Sequence, residues 1–267
     1  MSAESTKKTV AVVLGVCMVC SVLVSTAAVG LKARQNENRK IEKIKNILIA
    51  GNLLTPGVDV RQVYQEKIEG VIIDLETGEK IPESMYDDVL NVQTFDIKEV
   101  SSHPKYGKAI PANEDIAGIK RMPRYMVVYF VKGDDGFDKI IFPIYGKGLW
   151  STLYGFIALS KDLRTIEGLT FYEHGETPGL GGEVDNPRWK QIWHGKKAYD
   201  ENWNLQIEVI KGRVDPSSTR APYQVDGLSG STLTTRGVDN LVKFWLGKNG
   251  YGTFLSKLRS EGIHEQI

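Results

Sequence analysis

Residues 9–31 carry no charged side chain. The run is built from Val, Leu, Ala and Met with small Ser, Thr and Gly. At roughly 1.5 Å per residue, a helix of this length reaches across a hydrocarbon core about 30 Å thick. Lys7 and Lys8 precede it, and Lys32, Arg34, Arg39 and Lys40 follow. A cleaved signal peptide has the same short basic start, and Ser25-Thr26-Ala27-Ala28 supplies small residues of the kind found at cleavage points. The length of the run favours an uncleaved, single-pass anchor. Its C-terminal flank is the more positive, which by charge count alone would keep the main domain in the cytoplasm. That rule weakens when a long domain must cross, so orientation stays open at this point.

The remainder of the 267-residue chain is of a different kind. Charged residues make up 25% of the whole and hydrophobic residues 41%, as in a globular protein, so a multi-span membrane fold is excluded. Lys and Arg number 34 against 33 Asp and Glu, and this balance argues against nucleic acid as a partner. The two cysteines, Cys17 and Cys20, lie inside the apolar run, so no disulfide scaffold exists. Their shared helical face is read as a helix–helix contact in preference to a metal or cluster site.

The organisation follows from composition and periodicity. A short tail (1–8) leads into the anchor (9–31). A juxtamembrane helix is expected over 32–55, where Ile41, Ile44, Ile47 and Leu48 recur at helical spacing. Gly51, Asn52, Pro56 and Gly57 end it. A loop-rich insertion follows over 56–124; residues 81–124 hold Pro82, Pro104, Pro111 and Pro123 without sustained periodicity. Residues 125–267 read as a compact α/β core, a mixed or antiparallel sheet with flanking helices. β-branched and aromatic runs predict strands over 125–131, 139–145, 152–159, 165–173 and 205–210. Gly133-Asp134-Asp135-Gly136 supplies a turn between the first two. Helices are expected over 187–193, with Pro187 in the first turn, and over 234–246, where Val238, Leu241, Val242 and Trp245 form one apolar stripe.

Common catalytic patterns fall short. The histidines, His103, His174, His194 and His264, show no metal-ligand spacing. Gly227-Leu228-Ser229-Gly230-Ser231 lacks the closing glycine of a nucleophile elbow. Neither Gly179-Leu180-Gly181-Gly182 nor Gly146-Lys147-Gly148 has dinucleotide-binding spacing. Two segments remain. In His174-Gly175-Glu176-Thr177-Pro178-Gly179-Leu180-Gly181-Gly182-Glu183, Pro178-Gly179 suits the centre of a type II turn. Gly181 and Gly182 let backbone approach a flat ligand, although an ordinary glycine-rich loop has the same composition. In Asp226-Gly227-Leu228-Ser229-Gly230-Ser231-Thr232-Leu233-Thr234-Thr235, hydroxyls and glycines stand just before a helix. A phosphate would meet free amides there, and a plain N-cap cluster would use the same residues.

The ordered set of anchor, α/β core, Gly148-Leu149-Trp150-Ser151 before a strand and these two segments resembles the C subunits of bacterial Na⁺-translocating NADH:quinone oxidoreductases. These are members of the FMN-binding domain family. The resemblance covers most of the chain and is firmest from Tyr125 onward. It implies a covalent FMN whose phosphate is esterified to Thr232, the last residue of an Asp-x-x-Ser/Thr-Gly-Ala-Thr/Ser motif. Asp226, Ser229 and Gly230 fall on the other motif positions, and Ser231 stands where the family has Ala. The resemblance further implies that Glu176, Thr177, Gly179, Leu180, Gly181 and Gly182 border the flavin, with Leu149 and Trp150 beside them. It implies a periplasmic soluble domain, the other members of a sodium-pumping complex as partners, and a flavin transferase for maturation. No NADH or quinone site is expected in this chain. Two alternatives are the G subunit of the related ferredoxin–NAD⁺ electron-transport complex and a non-redox anchored binding or scaffold domain.

Overall fold

The longest element begins where the apolar run does. In the computed structural model, which describes residues 6–55, 57–134 and 136–261, helix α1 is continuous over Thr6–Ala50. The anchor expected over 9–31 and the juxtamembrane helix expected over 32–55 run together in this one element. Between Leu31 and Ile41 the chain holds mainly Lys, Arg, Glu, Gln and Asn, with no Pro or Gly to interrupt the backbone. The helix ends at Ala50, short of the expected boundary at 55, because Asn52 turns into a left-handed conformation (φ 55°). The Leu53 amide then donates to the Leu48 carbonyl at 2.8 Å. Pro56 lies outside the described residues. Residues 6–40 are exposed along the helix, which is long and apolar enough to cross a membrane by length and composition.

By internal contacts the chain divides into Met1–Lys43 and Ile44–Ile267. The second unit begins with the last turns of α1 and continues through α2 (Val60–Lys67) and β1 (Ile68–Asp74). Asp59 caps α2 by accepting the Arg61 amide at 2.8 Å. Next come α3 (Ile97–Ser102), the short strands β2 (Gly107–Ala109) and β3 (Arg121–Pro123), then β4 (Tyr125–Gly133), β5 (Gly136–Lys147), β6 (Thr152–Ser160) and β7 (Ile166–Glu173). Helix α4 (Pro187–Gln191), β8 (Glu208–Val209), β9 (Gln224–Val225), α5 (Thr232–Leu246) and α6 (Gly252–Glu261) complete the order. Asp135, part of the turn expected over 133–136, lies outside the described residues, as does His264.

Strands β1, β4, β5, β6 and β7 form one antiparallel sheet in the order β1-β4-β5-β6-β7. Met126 to Val131 and Ile140 to Tyr145 are buried without interruption, the pattern of strands covered on both faces. On one face Phe142 packs against Tyr251 and Phe254. On the other, a Cβ placed on Gly51 would meet Ile141 at 2.9 Å, and one on Gly168 would meet the Ala50 carbonyl at 2.6 Å. Burial of these side chains is the main source of stability, at roughly 25 cal/mol per Å² of apolar surface removed from water.

Two expectations about elements are corrected. The stretch 56–124, which reads as loop-rich, contains β1, an edge strand whose Asp74 pairs across the sheet with Tyr125. Asp74 is buried and accepts both Nε (3.1 Å) and Nη2 (2.9 Å) of Arg124. The strand expected over 205–210 shrinks to Glu208–Val209, paired in parallel with β9. Leu205 instead forms an isolated antiparallel bridge with Tyr199, closing a turn in which Asp200 accepts the amides of Asn202 and Asn204 and Trp203 adopts φ 64°.

Candidate functional site

The beginning of α5 sets the site. A Cβ on Gly237, in the middle of the helix, would stand 2.4 Å from the Lys147 carbonyl and 3.1 Å from Gly148 Cα. A side chain there would push the helix off the turn after β5. Farther along, Trp245 donates from Nε1 to the Tyr145 carbonyl at 2.7 Å. The helix is thereby fixed against β5, and its N-terminus lies beside the 148–151 turn.

Exposure sorts the hydroxyls of the 226–235 segment. Ser231 is the N-cap of α5 but makes no side-chain cap bond. It is buried, and its hydroxyl donates instead to Thr234 Oγ1 at 2.9 Å. Thr234 in turn donates to Glu176 Oε2 at 2.7 Å. Thr235 accepts the Leu228 amide and donates to the Ser231 carbonyl. Thr232 and Ser229 are exposed. Thr232 opens the helix, where the first amides have no intrahelical carbonyl to pair with. Gly230 takes φ 72°, which brings the chain round into the helix.

Glu176 joins the glycine-rich loop to its neighbours. Its Oε1 accepts the amides of Trp150 at 2.9 Å and Ser151 at 3.1 Å. Its Oε2 accepts the Leu149 amide at 3.2 Å. Burial works against a charge on this carboxylate, but the Thr234 hydroxyl and the three amides outweigh it and hold the group below the usual glutamate range. A Cβ on Gly148 would come within 2.6 Å of Oε1, and one on Gly181 within 2.7 Å of Oε2. The glycines at these positions are therefore required by the carboxylate. The resemblance places Glu176 at the border of a ligand; its oxygens are turned inward and already engaged.

The loop itself follows its turn chemistry. Gly179 has φ 76° and the Leu180 amide donates to the Thr177 carbonyl at 3.1 Å, as a Pro-Gly type II turn requires. The Gly182 amide reaches the same carbonyl at 2.9 Å. His174 accepts the Glu176 amide on Nδ1 (3.2 Å), which leaves the ring proton on Nε2, 2.7 Å from Asp185. A Cβ on Gly230 would lie 3.3 Å from Leu180 Cδ2, so the glycine-rich loop and the start of α5 meet. Leu149 (38% exposed), Trp150 (67%), Leu180 (47%) and Leu233 (54%) leave large apolar side chains in solvent on the segments that converge here.

The structure thus brings together Leu149, Trp150, Glu176, Thr177, Gly179, Leu180, Gly181, Gly182, Ser229, Gly230, Ser231 and Thr232. Asp226 is otherwise occupied: its carboxylate accepts the Val214 amide (2.8 Å) and its carbonyl accepts Trp189 Nε1 (2.8 Å). Sequence reasoning misses Ser151, which accepts the Gly175 amide at 2.7 Å, and Thr234. A glycine inside a helix that otherwise carries an apolar stripe, Gly237, is the available signal that the 148 turn lies against α5.

An exposed hydroxyl at an uncapped helix N-terminus suits a phosphate ester. Half-exposed apolar side chains beside side-chain-free backbone suit a flat ring. The FMN-binding domain family matches residues 148–247, from the Gly148 turn to the end of α5. Fold and site together define an FMN-binding domain.

The C subunit of the Na⁺-translocating NADH-quinone reductase of Pseudomonas aeruginosa is 49% identical over 259 residues, covering 96% of this chain and 97% of its own. Its Yersinia pestis counterpart is 44% identical, covering 97% and 96%. The crystal structure of Shewanella oneidensis NqrC superposes with a TM-score of 0.75 at 33% identity, covering 84% of this chain and 99% of that one. The chain belongs to the NqrC family, the C subunits of the Na⁺-translocating NADH-quinone reductases, which are oxidoreductases.

Proposed function

We propose that this chain is a membrane-anchored flavoprotein that passes electrons within a sodium-pumping NADH:quinone reductase, with FMN esterified through its phosphate to Thr232. The observation that carries this reading is the contrast in exposure among the hydroxyls of the motif. Ser231, Thr234 and Thr235 are buried and hydrogen-bonded, whereas Thr232 stands exposed at the first position of α5. Ser229 is exposed as well, but it lies before the helix and does not occupy the acceptor position of the motif.

When bound, FMN supplies an isoalloxazine ring that accepts and returns electrons. The chain's own residues hold and orient the group. Thr232 tethers the phosphate, and the first amides of α5 and its dipole favour the remaining negative charge. Leu149, Trp150 and Leu180 provide apolar surface, and Gly179 and Gly182 leave backbone open to the ring. A covalent leash removes the entropy cost of rebinding and prevents loss of the group.

On this reading α1 anchors the protein in the inner membrane, the Ile44–Ile267 unit faces the periplasm, a flavin transferase attaches FMN, and the other subunits of the complex are the partners. One charge-free span offers no polar route for sodium by itself. The test is Thr232→Ala, expressed with the flavin transferase. In-gel fluorescence of the denatured polypeptide is expected to disappear. Undiminished fluorescence would remove Thr232 from the role, and a native chain that never acquires flavin would favour a non-redox scaffold.

A further inference from the structure

We propose that Glu176 is a positioning residue for the flavin, holding the three segments around it in register without touching it. The inference rests on the reading of Thr232 as the attachment point.

The geometry is that of a closed clamp. Every polar contact of the carboxylate is a donor directed at it: the amides of Leu149, Trp150 and Ser151, and the hydroxyl of Thr234 at 2.7 Å. The Ser151 hydroxyl lies at 3.4 Å from Oε1 and itself receives the Gly175 amide. Among the described residues no cation is paired with Glu176, so oriented dipoles balance its charge. Gly148 and Gly181 press against the two oxygens from opposite segments, with no room for a side chain on either. One anion thus fixes the turn that carries Leu149 and Trp150, the loop that carries Leu180, and the helical turn that begins with Thr232. All three are segments whose outer side chains are exposed.

The hydrogen bonds also have a direction. Ser231 donates to Thr234, and Thr234 donates to Glu176. An amide in place of the carboxylate breaks this order. With its nitrogen at the Oε2 position, a glutamine faces the Leu149 N–H donor and forces Thr234 to turn its proton toward Ser231. With its nitrogen at the Oε1 position, it faces the amides of Trp150 and Ser151. Either arrangement sets donor against donor and displaces the turn. The first arrangement is tolerable only while the Ser231 hydroxyl is there to accept. Ser231 stands where the family motif has alanine, and in this chain it lengthens the clamp by one link.

The test uses the full-length chain in membranes with the flavin transferase, in the wild type, Glu176→Gln, Ser231→Ala, the double variant, Thr234→Val and Thr232→Ala. Attachment is followed by intact mass, ring environment by visible circular dichroism, and folding by the cooperativity of thermal melting. Misplacing an attacking group by a fraction of an ångström slows reaction by about tenfold or more. Glu176→Gln is therefore expected to slow attachment about tenfold and to alter the visible dichroism while melting stays cooperative. Ser231→Ala is expected to slow attachment by a smaller factor than Glu176→Gln, and the double variant to fall below the product of the two single effects. Should Glu176→Gln fail to fold, Thr234→Val, which removes one donor and keeps the amides, decides the matter by the same two signals. Wild-type attachment rate and dichroism in a folded Glu176→Gln chain, or in Thr234→Val where the former does not fold, overturn the proposal. Flavin retained on Thr232→Ala overturns the attachment reading and the proposal with it. Flavin lost from Thr232→Ala but normal on Glu176→Gln overturns the positioning role alone.

Discussion

Ser231 and Thr232 are neighbours in the chain and opposites in environment. Ser231 is 6% exposed and gives its hydroxyl to Thr234, while Thr232 is exposed at the start of α5. The change from helix cap to first helical residue turns one side chain inward and the next outward. Two adjacent hydroxyls therefore differ in availability for a reason rooted in helix geometry. Thr232→Ser preserves an exposed hydroxyl on the same Cβ and is expected to acquire flavin. Thr232→Val preserves shape without the hydroxyl and is expected to acquire none, with no transfer to Ser231. Proteolytic mapping of the flavin-bearing fragment checks both.

The close approach of Gly181 to α5 leads to a second expectation. A methyl group at residue 181 would lie 2.5 Å from Thr234 Oγ1 and 2.7 Å from Glu176 Oε2. Gly181→Ala must displace the loop or break the Thr234 bond. Overpacking of this kind costs about 1–3 kcal/mol. Urea denaturation should show a lowered midpoint with an unchanged slope, and flavin attachment should fall in parallel.

The ionisation of Glu176 gives a pH dependence whose sign is fixed. Burial opposes the charge, and the Thr234 hydroxyl and the amides of Trp150, Ser151 and Leu149 overcome that opposition. The folded value lies below the ordinary glutamate value of 4.5. The unfolded chain then binds more protons than the native one in this window, so stability rises with pH. The contribution is complete above about pH 4.5 and is lost as the pH falls through the lower folded value. Asp87, Asp162, Asp200 and Asp215 are also held low. The informative quantity is thus the difference in melting temperature between wild type and Glu176→Gln from about pH 6 to about pH 3. That difference should shrink toward acid.

At the far edge of the sheet, Arg124 meets Asp74 through Nε and Nη2, and Asp74 also caps the Glu76 amide at 2.8 Å. The arginine is half-exposed, and its loss leaves a buried carboxylate with fewer donors. Arg124→Met is expected to cost about 1–2 kcal/mol, after discounting for solvent screening. The same denaturation assay reads it, and flavin attachment should be unaffected because strand β1 lies at the opposite edge from β7.

Much of this architecture is written in local pattern. The β-branched and aromatic runs mark β4 to β7, and the apolar stripe of Val238, Leu241, Val242 and Trp245 marks α5, because each element buries what its own period presents. Strand β1 escapes notice because its partner lies more than fifty residues later, as in the pairing of Asp74 with Tyr125. No local period reports such a pairing. The change from apolar to charged composition after Leu31 marks the end of the apolar run and not of the helix, which continues to Ala50. At the site, the motif selects Thr232 and the Pro-Gly pair announces its turn. The inward direction of Glu176 is invisible: a carboxylate in a glycine-rich loop carries no mark of whether it points to ligand or to backbone. Only the approach of Gly148, Gly181 and Thr234 settles it.

The functional reading depends on one bond, between Thr232 and the phosphate of FMN. Intact-mass measurement of the chain from membranes of its own host, followed by peptide mapping, interrogates that bond itself. A polypeptide heavier by one FMN less one water is expected, with the increment on the fragment that contains Thr232. An unmodified fragment, or an increment on Ser229 or Ser231, would contradict it.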